Sequence, residues 1–224
     1  MNAETFYMSF LEMLKEENER AINEYYKKNE KGNSGETPWT FFVNKHIFQT
    51  IIERELKKYK NQTKVDKQVF FEFFKIDVSG WTYLMPDMIE KESSLPSRFK
   101  GCGLNWHCWR MEVAVEHEND STDWNYEVMK LLSIDCPLRV VIGYNNIKKR
   151  DDNEKGDAKK LSLICEQIKE IGQTEKLERG EFLIIIGNSD GTIIENDILK
   201  TAGYRAYLHQ KDKGFVPLIV RGGI

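Results

Sequence analysis

The segment that decides the fold is residues 109–119, which read Trp109-Arg110-Met111-Glu112-Val113-Ala114-Val115-Glu116-His117-Glu118-Asn119. Apolar and polar residues alternate along it, which predicts a β-strand that places Arg110, Glu112, Ala114, Glu116 and Glu118 on one face. Carboxylates so close together repel one another, so their clustering needs a physical explanation. A divalent cation is one explanation, because Mg²⁺ and Mn²⁺ prefer hard oxygen ligands. A solvated strand face is the other.

A second predicted strand precedes this one and contains an acid among apolar residues. It covers about residues 68–84 and begins Gln68-Val69-Phe70-Phe71-Glu72-Phe73-Phe74-Lys75-Ile76-Asp77-Val78, a run rich in aromatic residues. A carboxylate inside an apolar strand is costly unless it is hydrogen-bonded or binds a metal. Asp77 therefore has either a structural role or a role in a site, where it would converge with Glu116 and Glu118 across neighbouring strands.

This pattern resembles the PD-(D/E)XK nuclease superfamily, whose signature is an Asp on one strand and Glu/Asp-x-Lys on the next. The resemblance covers about residues 40–145 and implies an α/β, restriction-endonuclease-like fold, in which a mixed central sheet is flanked by helices. The implied order is a helix over about 39–60, three antiparallel strands, a helix that opens near Thr122 or Asp123, and a strand at 138–144 parallel to the first. The segments 68–84 and 108–118 would carry the site.

The resemblance also implies the chemistry of that site. Asp77, Glu116 and the backbone carbonyl of His117 would bind Mg²⁺ or Mn²⁺. The lysine of the signature is replaced by Glu118, as in some type II restriction endonucleases, so Glu118 would orient or deprotonate the attacking water. A lysine from elsewhere would otherwise take that role, and Lys130 on the next helix or Lys75 beside Asp77 are the candidates. Asp87, in a long loop over about 84–107, is a rival to Asp77.

We therefore expect a divalent-metal-dependent nuclease that hydrolyses phosphodiester bonds of DNA. The alternative is a nuclease-fold binding protein without catalytic activity, since the missing lysine is what such a protein would lack. Divalent-metal binding separates these two classes. A zinc enzyme at Cys102, His107 and Cys108, with Asp87, is a third class. The four cysteines have no paired CxxC spacing, however, and reduced thiols are the simpler interpretation.

Composition favours a soluble, cytoplasmic protein. The 224 residues, 40% of them hydrophobic, suffice for one domain over 1–224. It would comprise N-terminal helices over about 1–60, the nuclease-like core over about 40–145 and a C-terminal α/β extension over about 146–224. The apolar runs are too short to cross a bilayer and the acidic N-terminus is not a signal peptide, so we expect no membrane partner.

The charge distribution bears on binding partners. A net charge of −3 disfavours non-specific polyanion binding by the whole surface. A local basic groove for DNA remains open, and the alternative for the same residues is a solvated helix end. These cations are Lys57, Lys58, Lys60, Lys64, Lys67, Arg98 and Lys100. Many restriction-type nucleases dimerise, but no feature of the sequence marks a homodimer interface.

The remaining segments give a helical N-terminus and an α/β C-terminus. A first helix is predicted over 4–30, and the second, over 39–60, directs an apolar stripe inward that includes Phe41 and carries Glu53 and Glu55. A helix over 156–172 precedes the wholly apolar strand 182–186, which favours parallel pairing with 138–144. The glycine turn after it lacks the Lys-Ser/Thr of a phosphate-binding loop, so we expect no nucleotide cofactor.

Overall fold

The chain forms a seven-stranded β-sheet in which the strands lie side by side in the order of the sequence. The computed structural model describes residues 1–27, 37–58, 67–73, 76–83, 109–119, 124–145, 153–189 and 193–220. The strands are β1 (Lys67–Phe73), β2 (Ile76–Tyr83), β3 (Trp109–His117), β4 (Leu138–Asn145), β5 (Glu181–Asn188), β6 (Arg205–Gln210) and β7 (Gly214–Pro217).

The sheet is mixed, with a parallel centre and antiparallel edges. β1, β2 and β3 pair antiparallel, β3, β4 and β5 pair parallel, and β6 and β7 return antiparallel. This confirms the α/β class with a mixed central sheet, and it confirms the parallel pairing of the two apolar strands. β4 is buried along its whole length and β5 nearly so, as strands covered on both faces must be.

The predicted strand over 68–84 is wrong in one respect, because the segment forms two strands. β1 and β2 are an antiparallel pair, with Phe73 opposite Ile76 and Phe71 opposite Val78. A run of aromatic and β-branched residues favours extended backbone throughout, and the segment between the strands contains no Gly, Pro, Asn or Asp that would signal a reversal. Periodicity alone therefore could not show where the chain turns back.

Helices cover both faces of this sheet. In the described chain they are α1 (Ala3–Glu16), α2 (Asn18–Tyr26), α3 (Pro38–Phe42), α4 (Gln49–Lys58), α5 (Trp124–Leu132), α6 (Asn153–Glu170), α7 (Thr174–Leu177) and α8 (Ile198–Ala202). A π-helical segment, Val43–Phe48, joins α3 to α4. The helix predicted over 4–30 is interrupted at Glu17, between α1 and α2.

Two hydrophobic cores result, one on each face of the sheet. The first core lies under α1–α4 and α8, and the second core lies under α5, α6 and α7. β4 supplies both in alternation, because Val140 and Ile142 lie in the first core and Val141 in the second. The candidate site lies on the face of the second core, so its position depends on α5.

One residue predicted to face the core is exposed instead. Phe41 was expected on the apolar stripe of the second helix, but it is 50% exposed, whereas Trp39 and Phe42 are buried. The π-helical segment has a wider turn than an α-helix, which changes the phase of the inward face on its N-terminal side. Counting back from Phe48 with the 3.6-residue period of an α-helix therefore predicts a buried Phe41, which is exposed in the structure.

Close packing fixes the start of α5 against β4. A Cβ atom on Gly143 would lie 2.4 Å from the ring of Trp124, the first residue of α5. Only glycine leaves room for this buried indole. α5 is thereby held across β3 and β4, which places its polar residues above the end of β3. Among the described residues, no helix is both long and apolar enough to cross a membrane.

Candidate functional site

Asp77 and Glu116 lie opposite one another on adjacent antiparallel strands. The register pairs Val78 with Val115, which places Asp77 across from Glu116 at the next position. The Oδ2 atom of Asp77 accepts a hydrogen bond of 2.7 Å from the backbone N–H of His117. One carboxylate is therefore tied to the strand that carries the other.

A bulge in β3 separates Glu112 from Glu116. The pairing shifts from Gly80–Val113 to Trp81–Met111, which leaves Glu112 as the extra residue. The strict alternation predicted over residues 109–119 is therefore wrong. Met111 lies in the second core with Ala114, whereas Val113 lies in the first core. Glu112 is turned to Arg110 and Thr82 and does not join a cluster with Glu116.

Lys130, on α5, brings a cation to Glu116. Its Nζ atom lies 2.8 Å from Oε2 of Glu116 and 2.6 Å from Oε2 of Glu127. Glu127 precedes Lys130 by three residues on the same helix, which places both side chains on one helix face. The site thus contains three carboxylates, from β2, β3 and α5, and one lysine held between two of them.

Glu116 is the most deeply buried member of this group. Its side chain is 1% exposed, and its Oε1 atom is buried without a hydrogen-bond partner among the described residues. Burial, together with the nearby charge of Asp77, raises the pKa of Glu116 to about 9, although Lys130 acts in the opposite direction. Burial lowers the pKa of Lys130, but its bonds to Glu116 and Glu127 outweigh this effect, so the net shift is upward.

The raised pKa predicts that the metal-free protein loses stability as the pH rises. The unfolded chain releases the proton of Glu116 above its ordinary pKa of 4.5, whereas the folded protein keeps it to about 9. The free energy of unfolding should therefore fall between these values, by up to about 1.4 kcal/mol per pH unit for one proton. Urea titrations in the presence of a chelator, from mildly acidic to mildly basic pH, measure this slope.

Glu116→Gln should flatten the slope, because the amide remains neutral at every pH in this range. Glu175→Gln is the matched control, since that carboxylate is exposed and solvated in both states. If Glu116→Gln leaves the slope of the free energy of unfolding against pH unchanged, Glu116 is not the protonated group.

Glu118 follows the end of β3, past the position where the two carboxylates pair. Glu118 lies one residue beyond β3, its backbone N–H donates to the carbonyl of Ile142 at 2.9 Å, and its side chain is partly buried. Among the described residues, no group of three or more His, Cys, Asp or Glu side chains is arranged to hold a metal ion. The structure thus places Asp77 opposite Glu116 and Lys130 beside Glu116, and among the described residues it does not complete a three-residue metal group with Glu118.

The side chain of His117 points away from these carboxylates. Its ring stacks edge-on against Phe48 of the first core, with centroids 5.9 Å apart, and its Nε2 atom lies 3.0 Å from the hydroxyl of Tyr144. Burial lowers the pKa of His117 to about 3, so the ring is neutral at physiological pH. Only the backbone of His117 faces the candidate site, where its N–H donates to Asp77. The metal-binding role predicted for its carbonyl stays a prediction.

Other residues considered from the sequence contribute less or cannot be placed. Glu53 contacts Gln49 and Glu55 contacts Lys58, both on their own helix. Lys57 and Lys58 are exposed at the end of that helix. Several candidates lie outside the described residues or have undescribed side chains: Lys60, Lys64, Lys67, Lys75, Asp87, Arg98, Lys100, Cys102, His107 and Cys108. Cys136 and Cys165 are free thiols.

Two features of the site were missed from the sequence. Glu127 was not among the residues expected at the site, although an acid three residues before a candidate lysine is a signal that a carboxylate accompanies it. The buried contact between His117 and Tyr144 has no sequence signal, because both residues read as ordinary members of strands.

No protein-family model matches this chain, and no curated protein matches it significantly.

Proposed function

We propose that this protein is a divalent-metal-dependent nuclease that hydrolyses phosphodiester bonds of DNA. The observation that carries the proposal is the buried carboxyl of Glu116, which faces Asp77 across the sheet and lies 2.8 Å from the amino group of Lys130. Two acids on adjacent strands and one lysine are the residue types that the PD-(D/E)XK signature combines, with Lys130 in place of the lysine that position 118 lacks.

The residues fit a hard divalent cation. Glu116 has a buried oxygen without a partner in the described chain, Oε1, and Asp77 stands opposite it. Carboxylate oxygens are the ligands that Mg²⁺ and Mn²⁺ prefer. Asp77 and Glu116 would hold the ion, with the backbone carbonyl of His117 as the further ligand. When bound, such an ion lowers the pKa of water and offsets charge on phosphoryl oxygens.

The remaining polar groups position these two carboxylates. The backbone N–H of His117 fixes Oδ2 of Asp77, and Lys130 fixes Oε2 of Glu116. Because Glu116 and Glu127 hold Lys130 in its protonated form, Lys130 is suited to orient water or to neutralise a phosphate rather than to accept a proton. This favours an electrostatic role for Lys130 over a role as general base.

The order and direction of the elements support the same proposal. A helix through residues 38–58 precedes three antiparallel strands, then α5, then β4 parallel to β3 and therefore to β1. Asp77 lies on the second of these strands and Glu116 on the third. This is the sequence of elements that the resemblance implies for residues 40–145.

A nuclease-fold binding protein is the second candidate, and one observation favours it. Lys130 already lies between two carboxyl groups of the chain, those of Glu116 and Glu127. A site balanced in this way is stable without a metal ion, as a protein that kept the fold and lost the reaction would require. Metal binding separates the two candidates.

Calorimetric titration of the wild type with Mn²⁺ near neutral pH is the test. We expect one ion to bind with release of about one proton, because Glu116 must lose the proton that its raised pKa retains. Titrations in two buffers of different ionisation enthalpy measure that proton. Asp77→Asn should weaken binding strongly, and Glu116→Gln should remove the proton release. If the wild type binds no divalent ion, the nuclease-fold binding protein becomes the favoured function.

A further inference from the structure

We infer that Tyr144 is a positioning residue for the candidate site, which it reaches through His117 from the opposite face of the sheet. Its hydroxyl lies at the centre of a buried network that joins the helical layer over the first core to the end of β3. The consequence for metal binding rests on the proposed function, whereas the consequence for the backbone at His117 does not.

The network is defined by short contacts between buried side chains. The indole N–H of Trp39, on α3, donates to the Tyr144 hydroxyl at 2.7 Å. The same oxygen lies 3.0 Å from Nε2 of His117 and 3.0 Å from the hydroxyl of Tyr204. Trp39 and Tyr144 are at most 1% exposed, and His117 and Tyr204 are at most 8% exposed.

Tyr144 is the member that all the others share. Its oxygen accepts the indole proton of Trp39, and its single hydroxyl proton serves either His117 or Tyr204. Phenylalanine at this position would remove a partner of three buried polar groups at once. Such groups are costly to leave unpaired, so the strand end would shift to find new partners.

His117 transmits such a shift to the carboxylates. Its ring lies in the first core against Phe48 and Tyr144, whereas its backbone N–H donates to Asp77 at 2.7 Å. Glu116 is the preceding residue and points to the other face. Any displacement of His117 therefore moves the donor that holds Asp77 and also the backbone that carries Glu116. The helical layer on one face thus sets the geometry of acids on the other.

Tyr144→Phe tests the inference, and Tyr7→Phe is its matched control. The Tyr7 hydroxyl is also buried in the first core and donates one hydrogen bond, of 3.0 Å, to the carbonyl of Tyr204. Loss of either hydroxyl removes buried hydrogen bonding, but only Tyr144 contacts His117. Tyr204→Phe is a milder second variant, because it removes a contact of Tyr144 and leaves the bond to His117.

Two measurements are compared between these variants. The first is amide hydrogen exchange at His117 in the metal-free proteins. We expect Tyr144→Phe to accelerate it about tenfold more than exchange at core amides of β5, with Tyr7→Phe showing no such difference. The second is Mn²⁺ affinity by calorimetry, which Tyr144→Phe should lower by about tenfold or more, and Tyr7→Phe should leave at the wild-type value.

The outcomes distinguish the inference from the proposed function. Selective acceleration at His117, in a protein that binds no Mn²⁺, supports the positioning role and counts against the nuclease. Wild-type exchange at His117 in Tyr144→Phe overturns the positioning role, whether or not the metal binds. Equal effects of Tyr144→Phe and Tyr7→Phe on exchange and affinity also overturn it, since they indicate general loss of stability.

Discussion

Asp77→Asn and Glu116→Gln are each expected to abolish Mg²⁺-dependent cleavage of DNA. Each substitution preserves size and replaces one anionic ligand with a neutral amide, and the single carboxylate that remains holds a hard divalent ion poorly. Asp77 and Glu116 stand opposite one another on β2 and β3, so each would supply half of the proposed ligand pair. We expect a loss of more than about 100-fold in the cleavage rate for either variant, because the proposed metal would activate the water and offset charge on the phosphate.

Cleavage of supercoiled plasmid with Mg²⁺ or Mn²⁺, followed over time, measures this effect. Glu112→Gln is the matched control on the same strand, because its carboxylate is turned to Arg110 and Thr82. That variant should cut at the wild-type rate. If the wild type cuts DNA and Asp77→Asn cuts equally well, the metal site does not lie between these strands. If only RNA is cut, the site stands and the substrate assignment is wrong.

Lys130→Gln is expected to produce the second large effect, a loss of about 100-fold or more in the cleavage rate with little change in metal affinity. The amino group of Lys130 lies 2.8 Å from Glu116 and supplies a positive charge beside that carboxyl group. Its removal would leave Glu116 in place as a ligand while it removes the positive charge near the reacting phosphate. Cleavage assays and Mn²⁺ calorimetry on the same preparation separate the two properties.

Two further variants show how much Glu118 and Glu127 contribute to cleavage beside Lys130. Glu118→Gln should have a small effect, because among the described residues Glu118 completes no metal group of three with Asp77 and Glu116. Glu127→Gln should have an intermediate effect, because it loosens Lys130 on one side only. A severe loss in Glu118→Gln together with a silent Lys130→Gln would reverse the assignment and return the role to the residue at the signature position.

The strands at the centre of the sheet could be predicted because their patterns are local. β4 and β5 are apolar on both faces, and each follows a helix, which together indicate parallel strands in the middle of a covered sheet. Asp77 was also identified correctly as an acid within an extended apolar segment. These features depend on residues a few positions apart, where side-chain period and burial are directly related.

The features that the sequence could not show depend on register and packing. The reversal between β1 and β2 has no turn signal, and the bulge at Glu112 changes the face of Met111 without a glycine to mark it. The π-helical segment exposes Phe41 in a similar way. The bulge and the π-helical segment each shift the phase by about one residue, which a periodic pattern cannot detect from within the segment.

The amino-acid sequence by itself determined the class of fold, the central parallel strands, and the acids and the lysine that were candidates for a site. The tertiary structure alone decided how these groups combine. Packing of α5 on β4 through Gly143 and Trp124 brings Lys130 to Glu116, and burial at that point raises the pKa of Glu116. The network at Tyr144 likewise joins residues from α3, β3, β4 and the segment before β6. Distances between segments far apart in the chain arise only when the sheet and both helical layers are assembled, so no local pattern encodes them.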